Sequence, residues 1–379
     1  MKIGIEGQRL FRVKKHGMDM VALELIRNLQ QIDTVNEYFI FVKPDEDKSC
    51  LSETPNFHII ELEGGPYPTW EQYALPKAAI KYGIDLLHCT SNTAPVYGKI
   101  PMVVTLHDII YLESVAIFNK GGTWYQKFGN MYRRFVVPRV VSKSKKIITV
   151  SYFERDRIRS FFGFPQSDNR LVAIYNGVSA HFKPVTDQNE LERVRQKYSL
   201  PSQYAFFLGN TDPKKNTRGV LQAFAQFLKE SDIPLKLVML DYEKSALTAL
   251  LQEIGAPHLL DHIHLTGYVV NTDLPSIYAQ AAIFLYPSLR ESFGIPMLEA
   301  MRCGVPVITS NTSSMPEVSG GAALIIDPFK PEEITSAMKQ IISDEKLRNE
   351  LITKGLSQSD KFSWRAMAEE VLKLYHTIV

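Results

Sequence analysis

The chain is poor in cysteine. Cys50, Cys89 and Cys303 are the only three in 379 residues, and none sits in a Cys-x-x-Cys pair. So small and odd a count supplies neither a disulfide framework nor a thiolate zinc site, and it points to a reducing, cytoplasmic setting. Long apolar runs are missing too: no stretch approaches the ~20 residues that cross a bilayer. Residues 1–5 lead straight into a strand-like segment, so no secretory leader is expected. Nor does charge of one sign dominate, with 43 Lys and Arg against 41 Asp and Glu. Residues 1–180 carry +5 and residues 181–379 carry −3, too even a division for a nucleic-acid footprint. Low-complexity segments and short-period repeats are likewise absent.

What is present is an alternation. Short apolar runs rich in Val, Ile and Phe occur at residues 2–5, 38–42, 58–61, 85–88, 102–106, 146–150 and 171–174. They resume at 204–208, 236–240, 263–265, 283–286, 305–310 and 323–326. Continuous rather than alternating apolar runs suit parallel strands buried on both faces. Helical patterns lie between them; over 214–230, Val220, Leu221, Phe224, Phe227 and Leu228 form one apolar face. The chain therefore reads as α/β, two Rossmann-like doubly wound domains facing a central cleft. The Asn176-Gly177 turn and Pro184 mark the boundary. Domains are expected at 1–180 and 181–361, with the terminal helix, about 362–379, returning to the first. Ligands of such sheets sit beyond the carboxyl ends of the strands.

After the run at 283–286 comes a loop with Glu291, Ser292, Phe293 and Gly294, then Ile295, Pro296 and a short helix that ends before Gly304. The free N–H groups and dipole of that helix start form an anion site. Gly294 lets the backbone approach a phosphate closely. Glu299 is placed toward ribose hydroxyls and Glu291 toward a sugar. After the run at 204–208, Gly209 and Asn210 precede Pro213, Lys214 and Lys215, where Lys215 is placed to reach a diphosphate as a point charge. The run at 102–106 delivers His107 to the cleft edge.

The motif Leu265-Thr266-Gly267-Tyr268-Val269, the run from Glu291 to Glu299, and Glu299-Ala300-Met301-Arg302-Cys303-Gly304-Val305-Pro306 together resemble glycosyltransferase family 4 of the GT-B fold. The similarity covers nearly the whole chain and is densest over 263–328. The resemblance implies a retaining hexosyltransferase, mannosyl-type as a first guess, acting from a nucleotide diphosphate sugar without metal or other cofactor. It implies a glycan or lipid-linked oligosaccharide as acceptor, as in cell-surface polysaccharide synthesis. The donor belongs to the second domain and the acceptor to the first. It gives catalytic roles to His107, Glu291 and Lys215. It gives donor contacts to Gly17, Gly209, Asn210, Lys215, Val269, Ser292, Phe293, Gly294, Ile295 and Glu299. Two departures stand out: Asn210 occupies a position where some members carry arginine, and Gly17 is alone where relatives have two or three glycines. Runner-up readings are a sugar-nucleotide epimerase or phosphorylase of the same architecture, and a non-catalytic nucleotide-sugar binder.

Asp45-Glu46-Asp47 formally matches a metal motif, but Pro44 and Lys48 make a solvated turn the better reading. His258, His262 and His264 lack supporting carboxylates or thiols for zinc. Between Ser114 and Phe153 stand eight basic residues and no acidic one, with Trp124, Phe128, Met131 and Phe135 at helical spacing. Two readings stay open for this stretch. One is a helix with a buried aromatic stripe. The other is peripheral membrane contact through residues 120–146, by anionic lipid or a lipid-pyrophosphate acceptor.

Overall fold

A computed structural model describes residues 1–113 and 124–378. It forms two compact units, Met1–Gly177 with Trp364–Val379, and Val178–Ser363.

The first unit is built on a parallel sheet of seven strands: β1 (Lys2–Glu6), β2 (Glu37–Val42), β3 (Phe57–Glu61), β4 (Leu86–Cys89), β5 (Met102–Thr105), β6 (Lys146–Thr149) and β7 (Leu171–Ala173). Their order is β3-β2-β1-β4-β5-β6-β7. Ile3 and Ile5 of β1, Ile40 of β2 and Val103 of β5 are fully buried, as strands covered on both faces require. Chain order reverses between β1 and β4, the place where ligand sites form in such sheets. The C-terminal helix Trp364–Tyr375 packs on the helix Gly17–Ile32. Its Tyr375 hydroxyl lies 2.6 Å from Nδ1 of buried His88, whose Nε2 meets Thr105 Oγ1 at 2.8 Å. Burial lowers the His88 pKa to about 3, so this imidazole is neutral and tethers the last helix to the sheet.

The second unit holds six parallel strands: β8 (Tyr204–Phe207), β9 (Lys236–Met239), β10 (Ile263–Leu265), β11 (Ile283–Tyr286), β12 (Val307–Ser310) and β13 (Leu324–Ile326). They run in the order β10-β9-β8-β11-β12-β13, reversing between β8 and β11. The helix Thr217–Glu230 buries Val220, Leu221, Phe224 and Phe227 against this sheet. The helix expected from residue 214 begins later. Pro213–Lys215 is a separate 3-10 turn, and Asn216 interrupts with φ 58°. The Asn216 amide donates to the carbonyls of Pro287 (3.1 Å) and Pro328 (2.7 Å), which holds the break open. Lys215 is therefore displayed on a turn ahead of the helix rather than in its first turn.

Candidate functional site

Because β8 and β11 are neighbours at the reversal, the loops that leave their carboxyl ends lie side by side. They are stitched together: the Leu289 N–H donates to the Lys214 carbonyl at 2.7 Å. Gly209 has to be glycine here, since a Cβ would come within 2.2 Å of the Phe207 ring. Asn210 is exposed, and its Oδ1 accepts from the Asp212 N–H at 2.9 Å. In the second loop Gly294 adopts φ 103°, a conformation that L side chains rarely take, and opens the helix Ile295–Arg302 with Pro296 in its first turn. The start of a helix carries N–H groups without intrahelical partners and the positive end of its dipole, the chemistry that suits an anion.

Lys215 and Glu291 converge on that element. Lys215 Nζ and Glu291 Oε1 are 2.5 Å apart, with side chains only 17% and 13% exposed. The ammonium also stands 5.4 Å from the centre of the Tyr286 ring, and burial together with the charge of nearby Glu291 keeps the Tyr286 hydroxyl protonated. Lys214, by contrast, extends outward to Asp212 at 3.6 Å. On the helix, Glu299 Oε2 accepts from the Tyr278 hydroxyl at 3.1 Å. Burial raises the Glu299 pKa to about 7, against the lowering effect of that hydrogen bond. After β10, Gly267 turns the chain at φ 68°, leaving Tyr268 exposed and Val269 buried. Phe293 is buried edge-on against Phe362, so its side chain anchors the loop.

One part of the site escaped the sequence reading. Directly after β12, hydroxyls hold the Glu291 loop from below. Ser310 Oγ donates to the Ser288 carbonyl (2.5 Å) and Thr312 Oγ1 to the Leu289 carbonyl (3.1 Å). Ser313 Oγ accepts from the Glu291 N–H (3.0 Å), and Ser314 Oγ donates to the carbonyls of Glu291 (3.0 Å) and Phe293 (3.1 Å). The available signal was the hydroxyl-rich run Ser310-Asn311-Thr312-Ser313-Ser314 at a strand's carboxyl end.

In the first unit His107 follows β5 and is buried. Its N–H donates to Asn92 Oδ1 at 2.6 Å, and Nε2 lies 3.0 Å from the Thr90 carbonyl. Burial lowers its pKa, so at neutral pH the ring is uncharged, with Nε2–H donating and Nδ1 left as an acceptor. Gly17 starts the helix Gly17–Ile32, and nothing lies within 4 Å of where its Cβ would be. Asp47 is not free for a metal: Lys15 Nζ meets its carboxylate at 2.5 Å. His264 Nε2 lies 2.8 Å from the Tyr198 carbonyl. Among the described residues no group of three metal-ligating side chains occurs. Lys120 lies outside the described residues. On the helix Trp124–Lys143, Phe128, Met131 and Phe135 are exposed, so they form no buried stripe; among the described side chains of this helix, Val136, Val137, Val140 and Val141 are buried. No helix among the described residues is long and apolar enough to cross a membrane.

Residues 16–182 match the family model described as Glycosyltransferase Family 4, and residues 189–358 match that of Glycosyl transferases group 1. The O-antigen chain mannosyltransferase B of Escherichia coli is 36% identical over 236 residues, which is 62% of this chain and 61% of that protein. The serotype-specific mannosyltransferase WbdA of the same species is 30% identical over 201 residues, 52% of this chain and 25% of that protein. The chain thus spans less than two thirds of these relatives. A crystal structure of Anabaena HepE in complex with UDP superposes with a TM-score of 0.75 at 17% identity, covering 100% of both chains. The likeness establishes the fold as GT-B.

Proposed function

The chain belongs to the group 1 glycosyltransferases of family 4, and on that premise we propose that it is a retaining, metal-independent hexosyltransferase using a nucleotide diphosphate sugar. The observation that carries the proposal is the convergence of Lys215, Glu291 and the glycine-opened helix start at the carboxyl ends of β8 and β11. This is a site made for an anion bound beside a carboxylate.

In this reading the donor diphosphate lies against Lys215 and the N–H groups of Ser292–Ile295. Negative charge grows on the leaving diphosphate as the glycosidic bond breaks. One ammonium and a helix start preorganised to meet that charge do the work that a divalent metal does elsewhere. Glu299 accepts from ribose hydroxyls, and Gly209, Asn210 and Val269 complete the nucleotide contacts. Glu291 faces the sugar, where its negative charge favours the positive character that develops at the anomeric carbon. The acceptor hydroxyl attacks on the face that the diphosphate leaves, a phosphate oxygen takes its proton, and the protein supplies no nucleophile. His107, neutral and with a free acceptor nitrogen, serves a sugar hydroxyl, and Gly17 serves the donor phosphates.

The names of the relatives, an O-antigen chain mannosyltransferase and a serotype-specific mannosyltransferase, favour a mannosyl residue; the acceptor in this reading is a polysaccharide or lipid-linked glycan bound by the first unit. A thermal-shift screen over UDP, GDP, dTDP and ADP and their hexoses tests the donor, because a ligand that binds only the folded chain raises its melting temperature. Product analysis with water and with orthophosphate then separates transfer from epimerisation and phosphorolysis. No stabilisation by any nucleotide sugar would overturn the proposal.

A further inference from the structure

The backbone of Glu291 is held at two points by groups that the chemistry above does not use. Its N–H donates to Ser313 Oγ at 3.0 Å, and its carbonyl accepts from fully buried Ser314 Oγ at 3.0 Å. The Glu291 carboxylate is paired with the Lys215 ammonium that stands 5.4 Å from the centre of the buried Tyr286 ring, which puts Tyr286 beside the pair. Ser313 takes φ 49°, left-handed for a residue with a Cβ. Such strain persists only where the surroundings enforce it, and it gathers at functional sites. Here it brings a hydroxyl beneath the Glu291 amide.

Resting on the proposed roles of Lys215 and Glu291, we propose that Tyr286 and Ser313 are positioning residues for Glu291. Lys215, at 2.5 Å, is the ion-pair partner of this carboxylate. When a diphosphate takes over that ammonium, a carboxylate held by the ion pair alone would be free to turn away. Tyr286, beside the pair, and Ser313, bonded to the backbone N–H, keep Glu291 in place, so it faces the reacting carbon as Lys215 changes partner. Preorganisation of this kind acts on the chemical step rather than on binding.

The test compares Tyr286→Phe, Ser313→Ala and Ser313→Gly with Lys215→Ala and Glu291→Gln. Rates are read as hydrolysis of UDP, GDP, dTDP and ADP hexoses by water, binding as calorimetry with UDP and GDP, and folding as Tm. Loss of the Tyr286 hydroxyl or of the Ser313 hydrogen bond predicts a fall in kcat of about tenfold. Donor KM and diphosphate affinity stay within about twofold. Ser313→Gly relieves the strained φ while removing the hydroxyl, so it falls in kcat with no loss of Tm. Wild-type kcat in Tyr286→Phe and Ser313→Gly beside a slow Glu291→Gln overturns the inference and leaves the transferase reading standing. Loss of kcat, KM and Tm together makes the residues structural and also overturns it. Unchanged kcat in Glu291→Gln removes the role of Glu291 itself, and the inference goes with it.

Discussion

The ammonium of Lys215 and the carboxylate of Glu291 meet at 2.5 Å although 76 residues separate them in the chain. One comes from the turn after β8, the other from the loop after β11, and each satisfies a charge that would otherwise be largely buried alone. If the donor diphosphate binds Lys215 as proposed, it has to compete with Glu291 for that ammonium.

That competition sets opposite effects for the two partners. Lys215→Ala removes the cation and is expected to weaken UDP or GDP binding by about 2–3 kcal/mol. Glu291→Gln leaves the ammonium without its internal anion, so affinity for the free diphosphate is expected to rise by about three- to tenfold, while kcat falls. Calorimetry on both variants checks this. A parallel loss of affinity in both would mean that Glu291 contacts the nucleotide rather than opposing it.

Glu299 gives a pH dependence. Its pKa stands near 7, raised by burial, so the carboxyl is about half protonated at neutral pH. Ribose hydroxyls donating to it favour the ionised form, so nucleotide binding is expected to release a proton and to strengthen as pH rises from 6 to 8. Folding stability runs the other way. The folded state holds this proton above the ordinary carboxyl range, so the stability contribution falls as pH rises from about 4.5 to 7. Titration in buffers of different ionisation enthalpy measures the released proton, and Glu299→Gln abolishes the Glu299-linked release. The same release in that variant would refute the assignment.

Much of this was legible before any coordinates. The thirteen strands among the described residues fall on the continuous apolar runs, because strands covered on both faces leave no polar alternation to obscure them. Gly294 and Pro296 marked the helix start because each is tied to a local backbone requirement. What could not be read depends on contacts distant in sequence. The helix break at Asn216 follows from carbonyls 71 and 112 residues away. The role of Ser313 depends on β12 lying beside β11. The aromatic spacing of Phe128, Met131 and Phe135 was visible, but a 3.6-residue period does not say which face meets the core.

A metal-free mechanism is expected to show in chelation. If Lys215 and the helix start carry the leaving-group charge, transfer in EDTA proceeds at the rate found with Mg²⁺ or Mn²⁺. Complete loss on chelation, restored by either ion, would return attention to Asp45 and Asp47 and to the break-up of the Lys15–Asp47 pair.

The exposed stripe on the helix Trp124–Lys143 leads to the last expectation. Phe128, Met131 and Phe135 are 52%, 61% and 53% exposed. Three large apolar side chains aligned on one face of a helix are uncommon on a soluble surface unless something covers them. The sequence of this segment carries charge of one sign, with eight basic residues and no acidic one between Ser114 and Phe153. The Arg139 guanidinium lies 3.7 Å from the centre of the Phe135 ring, setting a cation beside an insertable aromatic. A bilayer with anionic headgroups matches both features. The chain is expected to sediment with vesicles containing phosphatidylglycerol, weakly with phosphatidylcholine alone, and less as salt rises. Replacing all three residues by Ser removes about 1.5–3 kcal/mol of burial each at full insertion, so vesicle binding is expected to fall by more than tenfold. The Val136, Val137, Val140 and Val141 contacts that hold the helix are untouched, so Tm and transfer to a water-soluble acceptor stay at wild-type values. If the stripe instead covers a second copy of the chain, the triple variant changes sedimentation velocity without lipid and leaves vesicle binding intact, and the membrane assignment fails.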